Sequence, residues 1–388
     1  MRILFVHNAY QQIGGEDAVV QKEVELLKHN GSDVYLLRLS NDNINGFFSR
    51  LKTALDVKYS YSSRELLHRE IRRYQPDVVH VHNFFPLLSP SIYDACTDNS
   101  VPVVQTLHNY RTICPGALLM RNGNICEKCI NGSPYNAVLY SCYRDSMLGS
   151  LIVSHMVAYH RNHSTWQEKV DRFIVLTEFA RQKFIQANFP SNKIAIKPNF
   201  TNCEVSEAKF FDENKFKALF VGRLSHEKGV STLLSAWKKI SLPLLIIGDG
   251  PLLENVKNSG LDTVIASGLL SSSEVSIKMS KASFLIMPSE WYEGFPMVLV
   301  EAFSHGLPVI ASRLGGMAEI VEDGVTGLHF EAGNSDDLAD KVLWLQNHPE
   351  ECKEMGDNAR RAYQEKYTSE INNKLLMQIY QEVIDEKK

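Results

Sequence analysis

The sequence has no run approaching the roughly 18 apolar residues that a membrane-spanning helix requires, so no segment reads as a transmembrane anchor. It also has almost no net charge, with 41 Lys and Arg against 45 Asp and Glu, a formal −4. Without a general basic field, nucleic acid is not an expected partner, and any anion must be recognised locally. An export signal is lacking too. MRILFVHNA carries one basic residue before a short apolar run, but Gly14-Gly15-Glu16-Asp17 follows where a longer apolar core and a cleavage site would stand. The expected location is therefore the cytoplasm, with a peripheral contact at the inner membrane face as the further option. Seven cysteines, an odd number in a chain without that signal, argue against a disulfide framework. No low-complexity tract is found.

What is present is a doubled architecture. At 388 residues and 44% apolar composition, the chain is long enough for two domains of ordinary size. Short apolar runs alternate with segments of helical period, which predicts parallel strands joined by helical crossovers. The first series has strands at Ile3–Val6, Asp33–Leu39, Asp77–Val81, Pro102–Leu107 and Phe173–Leu176, with helices at Ala18–Lys28 and Glu178–Ala187. The second has strands at Ala218–Val221, Leu244–Ile247, Thr263–Ala266, Phe284–Met287 and Pro308–Ala311. Between them, Ile194–Lys215 reads as a loop-like linker. Two Rossmann-like domains are predicted, at 1–196 and 197–367. An amphipathic closing helix, within about 368–388, carries Ile371, Leu375, Leu376, Ile379 and Val383 on one stripe. Ligands of such sheets bind outside the carboxyl ends of the strands, and two facing domains would enclose a cleft.

Three loops of the second domain carry chemistry. Gly222-Arg223-Leu224-Ser225-His226-Glu227-Lys228-Gly229 follows a strand and opens a helix. Arg223 offers a planar fork to phosphate oxygens and Lys228 a point charge. A solvated basic loop is the bland alternative for this octapeptide alone. Gly248-Asp249-Gly250-Pro251-Leu252 is a common strand-to-helix turn whose glycines permit close ligand approach. In Ser289–Ala302 a helix is predicted to begin near Pro296, with Glu293 on the loop before it and Glu301 about two turns inside. Free amides at that helix start can meet ligand oxygens, and two carboxylates would face one pocket.

Glu293 to Glu301 resembles the Glu-x7-Glu motif of the retaining glycosyltransferases of family 4, which have the α/β GT-B fold. Gly14-Gly15-Glu16 resembles that family's amino-terminal glycine loop, Gly222-Arg223 through Lys228-Gly229 its diphosphate clamp, and Gly248 to Pro251 a recurring turn. Gly315-Gly316 with Glu319, and Gly324-Val325-Thr326-Gly327, are similar to its later signatures. The resemblance implies a nucleotide-diphosphate sugar as donor and a glycan or lipid-linked glycan as acceptor, in the manner of bacterial surface polysaccharide synthesis. It implies that Glu301 holds the donor ribose, and that Arg223 and Lys228 hold the diphosphate. It further implies that Glu293, with Gly294, Phe295, Pro296 and Met297, faces the donor sugar. His108, at a strand end, matches a histidine that meets the sugar near the reacting centre. It is followed by Asn109-Tyr110-Arg111 rather than the frequent Asp, so no His-Asp pair is expected. His80 and His82 flank another strand end, where alternation makes one of them an ordinary core or rim residue.

The implied reaction is hexosyl transfer with same-face attack and no enzymic nucleophile. With no Asp-x-Asp triplet in a suitable loop, no catalytic cofactor is expected. A GT-B sugar-nucleotide epimerase and a non-catalytic nucleotide-sugar binding protein remain alternatives. A dinucleotide oxidoreductase lacks its Gly-x-Gly-x-x-Gly. Cys114, Cys126, Cys129 and Cys142 follow His108, with a Cys-x2-Cys knuckle at 126–129, and are expected to bind one structural zinc. Their segment reads as polar and too poor in apolar surface to order itself. Four unrelated thiols are the alternative. Ser146–Arg161 is apolar enough to touch a membrane, but core packing is the primary reading.

Overall fold

The computed structural model describes residues 1–9, 15–40, 47–202 and 217–388, the stretch 47–51 by its backbone alone. The chain divides into two compact units. One comprises Met1–Arg121, Cys126–Pro198 and Asn372–Lys388; the other comprises Asn122–Ile125 and Asn199–Ile371.

In the first unit the strands are β1 (Arg2–Ala9), β2 (Asp33–Ser40), β3 (Val78–Asn83) and β4 (Val103–Thr106). The two-residue strands β5 (Met120–Arg121) and β6 (Asn124–Ile125), the latter grouped with the second unit, precede β7 (Arg172–Val175) and β8 (Ile194–Ile196). The main sheet is parallel, in the order β2-β1-β3-β4-β7-β8. Helices cover its faces, so its central strands are near-continuous apolar runs rather than alternating ones. The helix Gly15–His29 buries Val20, Val24 and Leu27 against Ile3, Phe5 and Val78. Into the same cluster the closing helix Ser369–Glu386 inserts Leu376, Ile379, Tyr380 and Val383. Each such aliphatic side chain contributes about 1.5–3 kcal/mol relative to exposure, enough to hold the helix as part of this unit.

The second unit has β9 (Ala218–Val221), β10 (Leu244–Ile247), β11 (Val264–Gly268), β12 (Phe284–Met287), β13 (Val309–Ser312) and β14 (Gly327–Phe330). These are parallel, in the order β11-β10-β9-β12-β13-β14. The chain moves outward from β9 to β11 and then returns to lay β12 on the other side of β9. That reversal is the position at which an open α/β sheet forms a ligand crevice.

Three sequence readings need correction. Ile194–Ile196, placed in the linker, is instead the edge strand β8. Three residues are too few to show a period, and only pairing with β7 makes them a strand. Of that linker, residues 203–215 lie outside the described residues, as does Gly14. β14 (Gly327–Phe330) is a further strand without a sequence signal of its own, since it opens on the last glycine of the Gly324–Gly327 signature. His80 and His82 are both buried, because residues two apart on a strand share one face and that face is covered.

Candidate active site

In the second unit, main-chain hydrogen bonds hold the loops after β9 and β10 together. Gly222 N donates to Ile247 O at 3.0 Å, and Leu224 N to Asp249 O at 2.9 Å. The approach is close enough to demand glycine. A Cβ on Gly248, where φ is +147°, would lie 1.9 Å from Gly222 O. On the other side, a Cβ on Gly229 would lie 1.8 Å from Pro288 O, so the loops after β9 and β12 also touch backbone to backbone. Glu290 N donates to Glu227 O at 2.9 Å, and the Thr232 hydroxyl donates to Glu290 Oε1 at 2.5 Å across the same seam.

Glu293 stands at the centre of these loops, buried to 5% exposure. Its Oε1 accepts from Lys228 Nζ at 2.7 Å, from the Ser289 hydroxyl at 2.7 Å and from the Trp291 indole at 2.8 Å. All three donors converge on one oxygen, and Oε2 takes none of them. A buried carboxylate needs such partners, and an ammonium among them makes the cluster neutral overall. The Lys228 ammonium also lies 5.6 Å from the centre of the Trp291 ring.

The sequence set Lys228 beside Arg223; the structure sets it beside Glu293. Arg223 is exposed and has no partner among the described residues. The helix predicted near Pro296 runs Met297–Ser304 with Pro296 as its N-cap, and Glu301 is half-buried on it. Phe295 packs edge-on to Tyr367 at 6.1 Å. Gly222, Gly250 and Gly294 fall on the same three loops, and Gly315 opens the helix Gly315–Ile320 after β13. Ser289, Thr232, Glu227 and Glu290 were not singled out from the sequence. Their meeting follows from β9 lying beside β12, which no local pattern announces.

In the first unit His108 follows β4 and, with His82, Asn83, Phe85, Thr106 and Arg111, lines a small pocket. Its Nε2 lies 2.9 Å from His82 Nδ1. Burial pushes the His108 imidazole down to about 3, helped by the nearby His7 and Lys197, and holds His82 well below the ordinary range. Both rings are neutral at ordinary pH. Asn109 Oδ1 accepts from Arg111 N at 3.0 Å, and the Arg111 guanidinium lies 4.7 Å from the Phe85 ring and 5.1 Å from Tyr143. The His-Asn-Tyr-Arg run is thus a packed turn. Gly15 heads the first helix.

Cys114, Cys126, Cys129 and Cys142 are all free thiols and share one neighbourhood. A Cβ on Gly116 would lie 3.8 Å from Cys114 Sγ and 3.5 Å from Cys142 Cβ. Burial pushes the Cys129 thiol up to about 12, reinforced by Cys114, Cys142 and Cys126. The segment is less wholly solvated than its polar text reads: Ile113, Leu119, Ile130 and Ala137 are all buried. These apolar residues are spread singly through the polar text, so no periodic signal marks them. Among the described residues, the group of three candidate ligands with all ligand atoms within 4.8 Å of one another is Glu23, His80 and His82, not the thiols.

Among the described residues no helix is long and apolar enough to cross a membrane. The Ser146–Arg161 stretch divides its apolar residues: Met156 and Val157 are buried, whereas Met147 and Leu148 are 64% and 68% exposed.

Comparison with known proteins gives this geometry its context. Residues 14–205 match the profile of Glycosyltransferase Family 4, and residues 203–362 that of Glycosyl transferases group 1. An uncharacterized glycosyltransferase of Methanocaldococcus jannaschii is 34% identical over 220 residues, 55% of this chain and 60% of that protein. The lipopolysaccharide 1,2-N-acetylglucosaminetransferase of Salmonella typhimurium is 28% identical over 236 residues, 53% of this chain and 60% of that protein. The chain thus spans well under two thirds of the length of these curated relatives. Anabaena HepE, solved in complex with UDP-glucose, superimposes with a TM-score of 0.68 at 17% identity, covering 98% of this chain and 99% of its own. With the two profiles laid end to end over two parallel α/β sheets, the chain has the GT-B fold and resembles glycosyltransferases of family 4 and group 1 over residues 14–362.

Proposed function

We propose that the protein transfers a hexosyl group, with retention, from a nucleotide-diphosphate sugar to a hydroxyl of a glycan or lipid-linked glycan acceptor in surface polysaccharide synthesis. The observation that carries this reading is the buried Glu293 cluster at the reversal of the second sheet, with one oxygen saturated and the other left for a ligand. Arg223, unpartnered in the next loop, suits a diphosphate, and Glu301 suits the ribose hydroxyls. In the reaction the acceptor oxygen bonds to the anomeric carbon while the bond from that carbon to the diphosphate oxygen breaks. The acceptor proton passes to the departing phosphate. The protein's contribution is electrostatic, the cations and helix amides stabilising charge that grows on the leaving group. The relatives support a nucleotide-sugar donor: HepE is in complex with UDP-glucose, and the Salmonella protein is a lipopolysaccharide transferase.

A panel of nucleotide-sugars screened by thermal denaturation should contain one that raises the melting temperature, since a ligand of the native state alone stabilises it. For that nucleotide, Glu301→Ala should weaken affinity by about tenfold, the effect of losing hydrogen bonds to a charged group. Equal affinity in calorimetry would remove Glu301 from the ribose.

The four thiols suit one structural zinc ion, with the Cys126–Cys129 knuckle following the β5–β6 hairpin and Cys114 and Cys142 meeting at Gly116. Zinc would draw the sulfurs together and tie an excursion that already has buried apolar residues. Metal analysis of protein purified without chelator should find about one zinc per chain, lost in Cys126→Ser with Cys129→Ser. A metal-free protein of unchanged melting temperature would exclude it.

A peripheral membrane contact is supported by the exposed Leu139, Met147, Leu148 and Leu151 beside Arg121, Lys128 and Arg144, whose cations lie on Tyr140 and Tyr143. The protein should co-sediment with vesicles containing anionic lipid, and Met147→Ser with Leu148→Ser should reduce the bound fraction several-fold. Equal binding by both proteins would remove this patch from the contact.

A further inference from the structure

Behind His108 lies a chain of buried polar groups that the proposed reaction does not use. Lys197, just after β8, is fully buried, and its ammonium lies 2.5 Å from Oε1 of Glu23 on the first helix. The other oxygen, Glu23 Oε2, faces His82 Nε2 at 3.5 Å. Neither of these two atoms has a hydrogen-bond partner among the described residues. The opposite side of His82, its Nδ1, lies 2.9 Å from His108 Nε2. His108 Nδ1 has no partner among the described residues, and its ring lines the small pocket after β4. Glu23, His80 and His82 are close enough to suggest a metal group, but the Lys197 ammonium already neutralises the carboxylate. Both nitrogens of His80 are also taken, by Tyr380 at 2.6 Å and Thr106 at 2.8 Å.

We infer that Lys197, Glu23 and His82 are positioning residues that fix the tautomer of His108, so that His108 presents a bare Nδ1, a hydrogen-bond acceptor, to whatever ligand enters the small pocket after β4.

In this buried place each proton must sit where it meets an acceptor. The Glu23 carboxylate, paired with the Lys197 ammonium at 2.5 Å, can only accept. His82, buried and neutral, has one N–H to place. On Nε2 it points at Glu23 Oε2, relieving both orphaned atoms at once. On Nδ1 it would leave a lone pair against a carboxylate, and each buried group left unsatisfied costs about 1–3 kcal/mol. With the proton on Nε2, His82 Nδ1 is an acceptor, so the 2.9 Å contact requires His108 to carry its proton on Nε2. Nδ1 of His108 is then bare. Which nitrogen of a histidine is protonated is set by what the other one meets, and here that setting runs through three residues from three separate elements. The groups facing the two rings are His7 of β1, itself paired with Asp17 at 2.9 Å, His80 of β3, Lys197, and Arg111 of the loop after β4. Burial and the neighbouring His7, His80 and Lys197 act in the same direction, and both rings stay neutral.

Two-bond proton–nitrogen spectra of 15N-labelled protein report which ring nitrogen carries the proton, with His82 and His108 assigned by substitution. The expected result is Nε2–H with bare Nδ1 for both rings, unchanged between about pH 5 and 8. In Lys197→Met, Glu23 loses its ion-pair partner and the hold on its orientation toward His82, and in His82→Leu the acceptor is gone. His108 should shift in both variants toward a mixture of tautomers. His82→Asn places an amide oxygen near the lost Nδ1 and should restore the Nε2–H form. A wild-type His108 protonated on Nδ1 overturns the inference. So does a His108 signal that is the same in His82→Leu and wild type. Where a variant fails to fold, the wild-type spectrum decides alone. None of these measurements involves a nucleotide-sugar, so their failure is distinct from failure of the nucleotide-sugar screen.

Discussion

Glu293→Ala is expected to lower the turnover of nucleotide-sugar about a hundredfold, the scale of removing one preorganised polar group from a reacting centre. It should also destabilise the fold by about 3 kcal/mol, as happens when one member of a buried ion pair is deleted. The two effects have one cause. Oε1 of Glu293 is the common acceptor for Lys228, Ser289 and Trp291. Without it, three donors in a buried place have no partner, and the loops after β9 and β12 lose the group on which they converge. Affinity for the free nucleotide should change much less, because neither oxygen is proposed to meet the nucleotide. Glu293→Gln separates the contributions: an amide oxygen can still accept from Ser289 and Trp291, so most of the stability should return while turnover stays low. The measurements are thermal denaturation and release of nucleoside diphosphate from the nucleotide-sugar. Turnover in Glu293→Ala within a few-fold of wild type would exclude Glu293 from the reacting centre.

Arg223→Ala is expected to cost about 1.5–3 kcal/mol of affinity for the nucleoside diphosphate, the range of a hydrogen bond to a charged group. The loss for the monophosphate should be far smaller. Arg223 is the cation of its loop to compare with Lys228, because the two start from different states. Lys228 is engaged with Glu293, whereas Arg223 is exposed without a partner among the described residues, so its deletion leaves no buried group stranded. Arg223→Ala should therefore leave the melting temperature of the unliganded protein unchanged, and Lys228→Ala should lower it. Equal losses for diphosphate and monophosphate in calorimetry would remove Arg223 from the diphosphate.

Three strands of the second unit were readable to the residue, Ala218–Val221, Leu244–Ile247 and Phe284–Met287, because a central parallel strand is an unbroken apolar run ended by a loop residue. Edge elements were less legible. β8 is three residues long, and β14 opens on a glycine, so pairing rather than pattern defines both. The site divides in the same way. Glu293, Lys228, Arg223 and His108 stand out because a charged or ring side chain at a strand's carboxyl end is where ligands bind. That Lys228 would meet Glu293, 65 positions away, depends on β12 returning beside β9. The Lys197–Glu23–His82 chain was invisible for a stronger reason. A lysine after an edge strand and a glutamate in a helix both read as ordinary solvated residues, since either charge is almost never buried unless paired. The pairing joins positions 174 residues apart.

The return of the closing helix to the first sheet sets the order in which the protein can be finished during synthesis. Residues up to Pro198 supply the whole first sheet, but the apolar seam completed by Leu376, Ile379, Tyr380 and Val383 must wait for the last of the chain. At about 5–20 residues per second, the roughly 170 residues between Pro198 and Asn372 take some ten to thirty seconds to emerge. During that interval the second unit can close around its own core, because its contiguous stretch from Asn199 to Ile371 carries all six strands of its parallel sheet. The unit begun first is thus the one completed last, and its face of Ile3, Phe5 and Val24 is the surface a nascent-chain chaperone would have to guard.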